Sequence, residues 1–189
     1  MKAINPPAKK HASDRPVVAP PAAQPEPERI AIPALGVDQG LVKLAVIGTK
    51  LQVPDSYDDV GWWNGGPAPG EPGAAVVVGH VDSLTGPAVF YGLSDLQRGD
   101  RISMWEKDGP RSTFEVKRTI FYDRDDFPSH RVYRSHGRPS LHLLTCGGAF
   151  DEESGQYTGN VVVFAKLVTR GDGHQRTDRH APRDDRRAR

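Results

Sequence analysis

The sequence contains a single cysteine, Cys146, among its 189 residues. One cysteine excludes an internal disulfide, and Cys146 is not part of any Cys-rich metal pattern. We therefore expect a free thiol. Because a lone cysteine is most often a small buried apolar side chain, a chemical role has to be argued from its surroundings.

Long apolar runs and an excess of one charge are also missing. No stretch of about 18 apolar residues occurs, and the first residues, MKAINPPAKK, lack the apolar middle of a secretory signal. We therefore expect no membrane span and no export signal in the chain as given. The formal net charge is +1 and the central part has no run of Lys or Arg, so nucleic acid is not an expected partner.

Composition divides the chain into three parts. Residues 1–28 are rich in Pro, Ala, Lys and Glu and nearly free of large apolar side chains, which predicts a disordered Pro-rich linker. Residues 169–189 are rich in Arg and Asp and predict a disordered, solvated tail. Residues 29–168, between them, are enough for one domain with a hydrophobic core.

Strand-like patterns fill this central domain. In RSTFEVK, Phe114 and Val116 alternate with polar residues, whereas AAVVV and VVVFA are continuous apolar runs typical of deeply buried strands. We predict an all-β fold with short helical turns, one of them near Ala88 to Leu93, and a closed or nearly closed barrel that removes the sheet edges. The eight candidate strands are Arg29 to Ile32, Leu41 to Val46, Leu51 to Val53, Ala74 to Val78, Arg101 to Trp105, Ser112 to Tyr122, Ser140 to Thr145 and Val161 to Val168.

Two of these strands lead into reactive side chains. The run AAVVVGH ends at His80, and SLHLLTC ends at Cys146, followed by two glycines that would let a substrate backbone approach closely. A side chain at the junction of a rigid strand and a loop is well placed to face a cleft. Asp82 is a candidate to orient the imidazole of His80, and Thr145 is a candidate to shape the site by packing.

No metal or cofactor is expected. The acidic cluster Asp151, Glu152 and Glu153 has the charge to attract a hard cation, but it lacks the spaced ligands of a known loop motif. We interpret it as a solvated turn.

The residues around His80 and Cys146 also carry a family resemblance. The strings IPALGV, GWWNGGPAPGEPGAAVVVGHVDSLTGPAVFYGLSDLQRGDRI and LHLLTCGGAFDEESGQYTGNVVVFAKLV occur in unbroken order between about Arg29 and Val168. They resemble the class F sortases of Gram-positive actinobacteria, and the motifs GHVDS and LLTCGG weigh most. The resemblance implies an eight-stranded sortase-type β-barrel, in agreement with the count of candidate strands.

The resemblance further implies a cysteine transpeptidase. Such an enzyme cleaves a sorting signal of the kind Leu-Pro-x-Thr-Gly after the Thr, holds the acyl group as a thioester on Cys146 and passes it to an amine or to water. His80 would be the acid and base, and a nearby imidazolium would help to form the thiolate. The implied partners are the sorting-signal peptide of a surface protein and an amine acceptor. The implied location is extracytoplasmic, at the cell envelope, with the membrane reached only through an anchor that this sequence lacks.

One element departs from the family pattern. The resemblance implies an Arg on the strand after the cysteine loop, yet no Arg occurs between Cys146 and Val168. Asn160 or, with a small shift, Thr158 aligns with that Arg and is the candidate oxyanion or substrate contact. Three arginines just before the cysteine strand are further candidates, namely Arg131, Arg134 and Arg138. The alternative function is a catalytically weak, sortase-like module that binds sorting-signal peptides.

Overall fold

The computed structural model describes residues 26–48, 50–107, 109–134 and 136–171. The first strand begins at Pro27 and the last ends at Gly171, so regular structure extends slightly beyond residues 29–168 at both ends. Apart from these few residues, the predicted linker and the predicted tail lie outside the described part of the chain.

Eight strands form a closed barrel in the order β1-β2-β3-β4-β7-β8-β6-β5. Two neighbouring pairs are parallel, β2 with β3 and β4 with β7, and the other pairs are antiparallel. The strands are β1 (Pro27–Ile32), β2 (Val37–Leu44), β3 (Val60–Trp63), β4 (Ala74–Gly79), β5 (Arg101–Glu106), β6 (Arg111–Asp123), β7 (Ser140–Asp151) and β8 (Gln156–Gly171).

Helical structure in the described residues is limited to single turns. The α-helix α1 spans Ser129–Val132, and three 3-10 helices span Pro33–Leu35, Tyr91–Asp95 and Arg124–Asp126. Two small ladders also occur, Val46–Ile47 with Lys50–Leu51 and Asp82–Ser83 with Gly86–Pro87. The predicted all-β, eight-stranded barrel with short helical turns is therefore confirmed.

One predicted barrel strand, Leu51 to Val53, is wrong, and β3 takes its place. Leu51 pairs only within a two-residue ladder, and Pro54, which follows Val53, has no N–H to donate to a sheet. β3 was hard to predict because its four residues include Gly61, and glycine weakens a strand. A side chain at Gly61 would collide with Leu44 on the neighbouring strand, which explains the glycine.

Two apolar clusters explain the continuous apolar runs. The inner cluster fills the barrel, and the outer cluster, including Val76, Val78, Leu144 and Val162, lies on the other face of β4, β7 and β8. The segment between β6 and β7 covers this outer face through Val132 and partly buried aromatic side chains. Because both faces of these central strands are buried, AAVVV and VVVFA need no polar alternation.

His142 is a polar residue within this outer layer. Its side chain is 3% exposed, and its Nδ1–H donates to the Val132 carbonyl at 2.8 Å. Burial lowers the pKa of His142 to about 4, and the positive charges of Arg134, Arg118 and Arg131 act in the same direction. His142 is therefore neutral at physiological pH and ties the covering segment to β7.

This burial predicts a loss of stability in acid. Unfolded His142 takes up a proton near its ordinary pKa of 6.5, while folded His142 resists protonation until about pH 4. The free energy of unfolding should therefore fall as the pH drops from about 6.5 to about 4, with a His142 contribution on the order of 3 kcal/mol. Urea unfolding of the full chain at several pH values in this window measures the loss.

The matched variant is His142→Gln, whose amide can still donate to the Val132 carbonyl but does not titrate. Carboxylates contribute equally to the pH dependence of both proteins. The wild type should therefore lose more stability than the variant, and equal losses would show that His142 is not the responsible group.

Candidate active site

The parallel pairing of β4 and β7 brings His80 and Cys146 together. The register pairs Val78 with Leu144, and the next residue, Thr145, donates its hydroxyl hydrogen to the Gly79 carbonyl at 2.8 Å. The next residues along these two segments are His80 and Cys146. Both therefore lie at the same end of the barrel, although they come from distant parts of the sequence.

His80 is fixed from several sides. Its Nε2–H donates to the Pro54 carbonyl at 2.8 Å, and its ring contacts that of Tyr57 with centroids 4.8 Å apart. The Phe90 N–H donates to the His80 carbonyl at 2.9 Å. Because a carbonyl only accepts, Nε2 carries the hydrogen of this bond, which leaves Nδ1 as the ring nitrogen for other contacts.

Cys146 is a free and exposed thiol on β7. It lies opposite Asn160 on β8, and within the described part of the chain no hydrogen bond joins it to His80. Partial desolvation raises the pKa of the Cys146 thiol, as does the negative charge of Asp82, while Arg124 acts in the opposite direction. In this arrangement the thiol is protonated at neutral pH, and a base must take its proton when it reacts.

Asp82 is bound to Tyr157 in this structure. The Tyr157 hydroxyl donates to the Asp82 carboxylate, which raises the pKa of Tyr157 to about 12. Arg124 donates from its Nη2 to the Tyr157 carbonyl. Three chain segments, at the ends of β4 and β6 and at the start of β8, thus form one polar network beside Cys146.

Arg124 and Tyr157 are site residues that sequence reasoning missed. Arg124 lies in a short Arg-Asp-Asp turn after β6, and nothing in its local sequence distinguishes it from other surface arginines. Arg131 and Arg134 line a separate cavity, and Arg138 lines neither that cavity nor the groove at Cys146. Arg124 is the arginine that lines the groove.

Asn160 and Thr158 occupy different places. Asn160 is half-buried and lines the groove. The Thr158 hydroxyl accepts a hydrogen bond from the Ala149 N–H at 3.1 Å and packs against Gly148, whose φ of +86° favours glycine. Thr158 thus shapes the loop after Cys146, and Thr145 fixes β7 against the end of β4 through its hydroxyl.

A groove of about 1180 Å³ runs past Cys146 and His80. Several apolar side chains on its walls are open to solvent, among them Leu84 at 98%, Val53 at 53% and Phe150 at 53%. Exposed apolar side chains gathered at a groove are typical of a binding surface for an apolar ligand. Among the described residues, no group of three or more His, Cys, Asp or Glu is placed to hold a metal ion.

A free thiol, an imidazole and an open apolar groove are the groups that a cysteine enzyme acting on an extended substrate would need. Comparison with known proteins agrees with this class. The sequence model of the sortase domain family matches residues 30–168 of this chain. The chain therefore belongs to the sortase family, whose members are cysteine transpeptidases that act on sorting-signal peptides of surface proteins at the cell envelope.

Solved sortase structures share the fold. Sortase A of Listeria monocytogenes has 16% identity and a TM-score of 0.59, over 78% of this chain and 90% of that chain. Sortase C-1 of Actinomyces oris has 21% identity and a TM-score of 0.55, over 75% of this chain and 73% of that chain. The sortase D5 transpeptidase of Clostridium perfringens has 20% identity and a TM-score of 0.55, over 75% of this chain and 78% of that chain. A comparison with curated proteins gave no match.

The charges around Cys146 predict how its thiol titrates. Asp82→Asn removes a negative charge and keeps an oxygen that can accept from the Tyr157 hydroxyl, so the pKa of the thiol should fall. The rate of iodoacetamide alkylation against pH reports this pKa directly, because Cys146 is the one cysteine in the chain. Arg124→Gln should shift the profile the opposite way, towards higher pH. An unchanged profile in Asp82→Asn would rule out the electrostatic role of Asp82.

Proposed function

We propose that this chain is a class F type sortase that cleaves an LPxTG-like sorting signal through a thioester on Cys146 and transfers the acyl group to an amine. The observation that carries the proposal is that His80, directly after β4, and Cys146, on the parallel neighbour β7, both line the apolar groove. The motifs GHVDS and LLTCGG around the two residues support the assignment to class F.

His80 would move the proton in both steps. As the Cys146 sulfur attacks the Thr carbonyl of the signal, Nδ1 of His80 takes the thiol proton and later gives it to the departing Gly amine. The C–N bond breaks and the thioester remains. An incoming amine then attacks the thioester while His80 accepts its proton, and Cys146 leaves with that proton restored. Water in place of the amine gives slow hydrolysis.

Arg124 is our candidate for the positive charge that the family pattern places on the strand after the cysteine. It lines the groove, its charge lowers the pKa of the Cys146 thiol, and its hydrogen bond to the Tyr157 carbonyl fixes its position. Asn160, opposite Cys146, can donate a neutral hydrogen bond to the developing oxyanion. A charged donor forms a bond about twice as strong as a neutral one, so we assign the larger effect to Arg124. Thr158 would support both donors by holding the loop after Cys146, where its hydroxyl accepts from the Ala149 N–H.

The groove suits the apolar part of the signal. Val53, Leu84 and Phe127 present apolar surface along it, and burial of a Leu or Pro side chain against them releases water. The partners in this proposal are a surface protein that carries the signal and an amine acceptor. The protein would act outside the cytoplasm, at the cell envelope. Within the described residues, no helix has the length and apolar character needed to cross a membrane.

The nucleophile can be tested with an LPxTG peptide and hydroxylamine as the acceptor. The full chain should form the peptide hydroxamate, detected by mass spectrometry, and Cys146→Ala should form none. His80→Ala should lower kcat by at least about a hundredfold, because proton transfer loses its acid and base. Hydroxamate produced by Cys146→Ala would exclude Cys146 as nucleophile. Peptide binding without any acyl transfer by the wild type would instead support the peptide-binding module.

Arg124 has a matched control in Arg131, an exposed arginine outside the groove. Arg124→Gln should lower kcat/KM by about a hundredfold, through loss of a charged donor at the oxyanion. Arg131→Gln removes the same charge and should leave kcat/KM nearly unchanged. Equal losses of kcat/KM in both variants would point to a general effect of charge. Wild-type kcat/KM in Arg124→Gln would show directly that Arg124 has no specific role.

A further inference from the structure

A second cavity, separate from the groove at Cys146, is lined by cationic side chains. It has a volume of about 460 Å³ and lies between β6, β7, β8 and the segment that covers the outer apolar layer. The residue pairs His142 with Phe164 and Arg118 with Phe164 place it on the outer face of the barrel. His142 precedes Cys146 by four residues on β7, about 13 Å along the strand. The six cationic residues that line the cavity are Arg98, Lys117, Arg118, Arg131, Arg134 and Lys166.

The cavity holds far more positive than negative charge. None of its lining residues is an Asp or a Glu. Glu115, outside the lining, pairs with Lys117, and the charge of Arg98 also helps to lower the pKa of the Glu115 carboxyl. The other lining cations have no ion pair among the described residues. Like charges held this close repel one another unless an anion lies between them.

Three of the arginines converge on the floor of the cavity. The guanidinium carbons of Arg118 and Arg131 lie 4.5 and 5.6 Å from the ring centre of Phe164. Arg134 donates from its Nη2 to the Ser140 hydroxyl at 3.2 Å. Its buried Nε has no hydrogen-bond partner in the part of the chain that the structure describes. A buried donor without a partner is costly, so an acceptor that reached this guanidinium would be bound favourably.

We propose that this cavity binds a phosphate-bearing anion with more than one phosphate group. Guanidinium groups match the oxygen geometry of phosphate and are the side chains that most often bind it. Several cations at short range favour a multiply charged ligand over a single carboxylate. The volume accommodates a small molecule, a lipid headgroup or one end of a polymer, and it excludes a folded partner. This inference does not depend on the proposed transpeptidase activity.

The cavity can be tested by calorimetry on the full chain with inorganic phosphate, tripolyphosphate and vesicles containing cardiolipin, a lipid whose headgroup carries two phosphates. We expect saturable one-to-one binding of tripolyphosphate, weaker binding of phosphate and a marked loss of affinity at high salt. Binding of the vesicles in addition would identify a lipid headgroup as a source of the phosphate. The proposal is overturned if neither tripolyphosphate nor the vesicles bind saturably.

Matched variants locate the site. The double variant Arg118→Gln and Arg131→Gln changes two exposed side chains and should weaken tripolyphosphate binding by about a hundredfold, roughly tenfold for each lost guanidinium. Arg29→Gln removes one charge from β1, on the opposite side of the barrel from β7, and should bind like the wild type. Equal affinity in the double variant would place the anion elsewhere and refute the site.

A second measurement locates the bound anion in the wild-type protein, without any amino-acid substitution. His142 lines the cavity and His80 lines the groove. In NMR spectra of the wild type, tripolyphosphate should shift the ring signals of His142 and leave those of His80 in place. The reverse pattern would assign the anion to the groove and would also contradict the proposal.

Discussion

The parallel pairing of β4 and β7 is the constraint on which the site depends. Parallel neighbours end at the same edge of a sheet, whereas antiparallel neighbours would carry the ends of these two strands to opposite edges. The bond from the Thr145 hydroxyl to the Gly79 carbonyl joins the two strands one residue beyond their last register pair, Val78 with Leu144. Cys146 and His80 therefore line one groove because of topology, and the inner apolar cluster of the barrel keeps the two strands in place.

The outer layer adds a second constraint. β4, β7 and β8 are buried on both faces, so the chain between β6 and β7 must fold back over them. The hydrogen bond from buried His142 to Val132 ties this cover down. The same segment carries Arg124 to the groove at one end and Arg131 and Arg134 to the cationic cavity at the other. Packing of one short segment thus contributes positive charges at two separate places.

The fold class could be predicted from local patterns, which also indicated Cys146 and His80 as the candidate pair. Most strands were recognisable because apolar alternation and turn residues lie next to each other in sequence, and the eight-stranded barrel is confirmed. The prediction of a barrel strand at Leu51 to Val53 was wrong because apolar composition alone does not provide a pairing partner. β3 was missed because it contains Gly61, and only the adjacent Leu44 explains that glycine. The roles of Cys146, His80, Asp82, Thr145, Asn160 and Thr158 in catalysis remain predictions.

The sequence by itself determined which reactive residue types are available, an imidazole directly after β4 and a thiol within β7. Tertiary structure alone decided which charges surround them. Arg124 and Asp82 act on the Cys146 thiol from loops distant in sequence, and the Tyr157 hydroxyl binds Asp82. Electrostatic interactions depend on separation in space, and closure of the barrel sets that separation. Local sequence patterns carry no information about such distances.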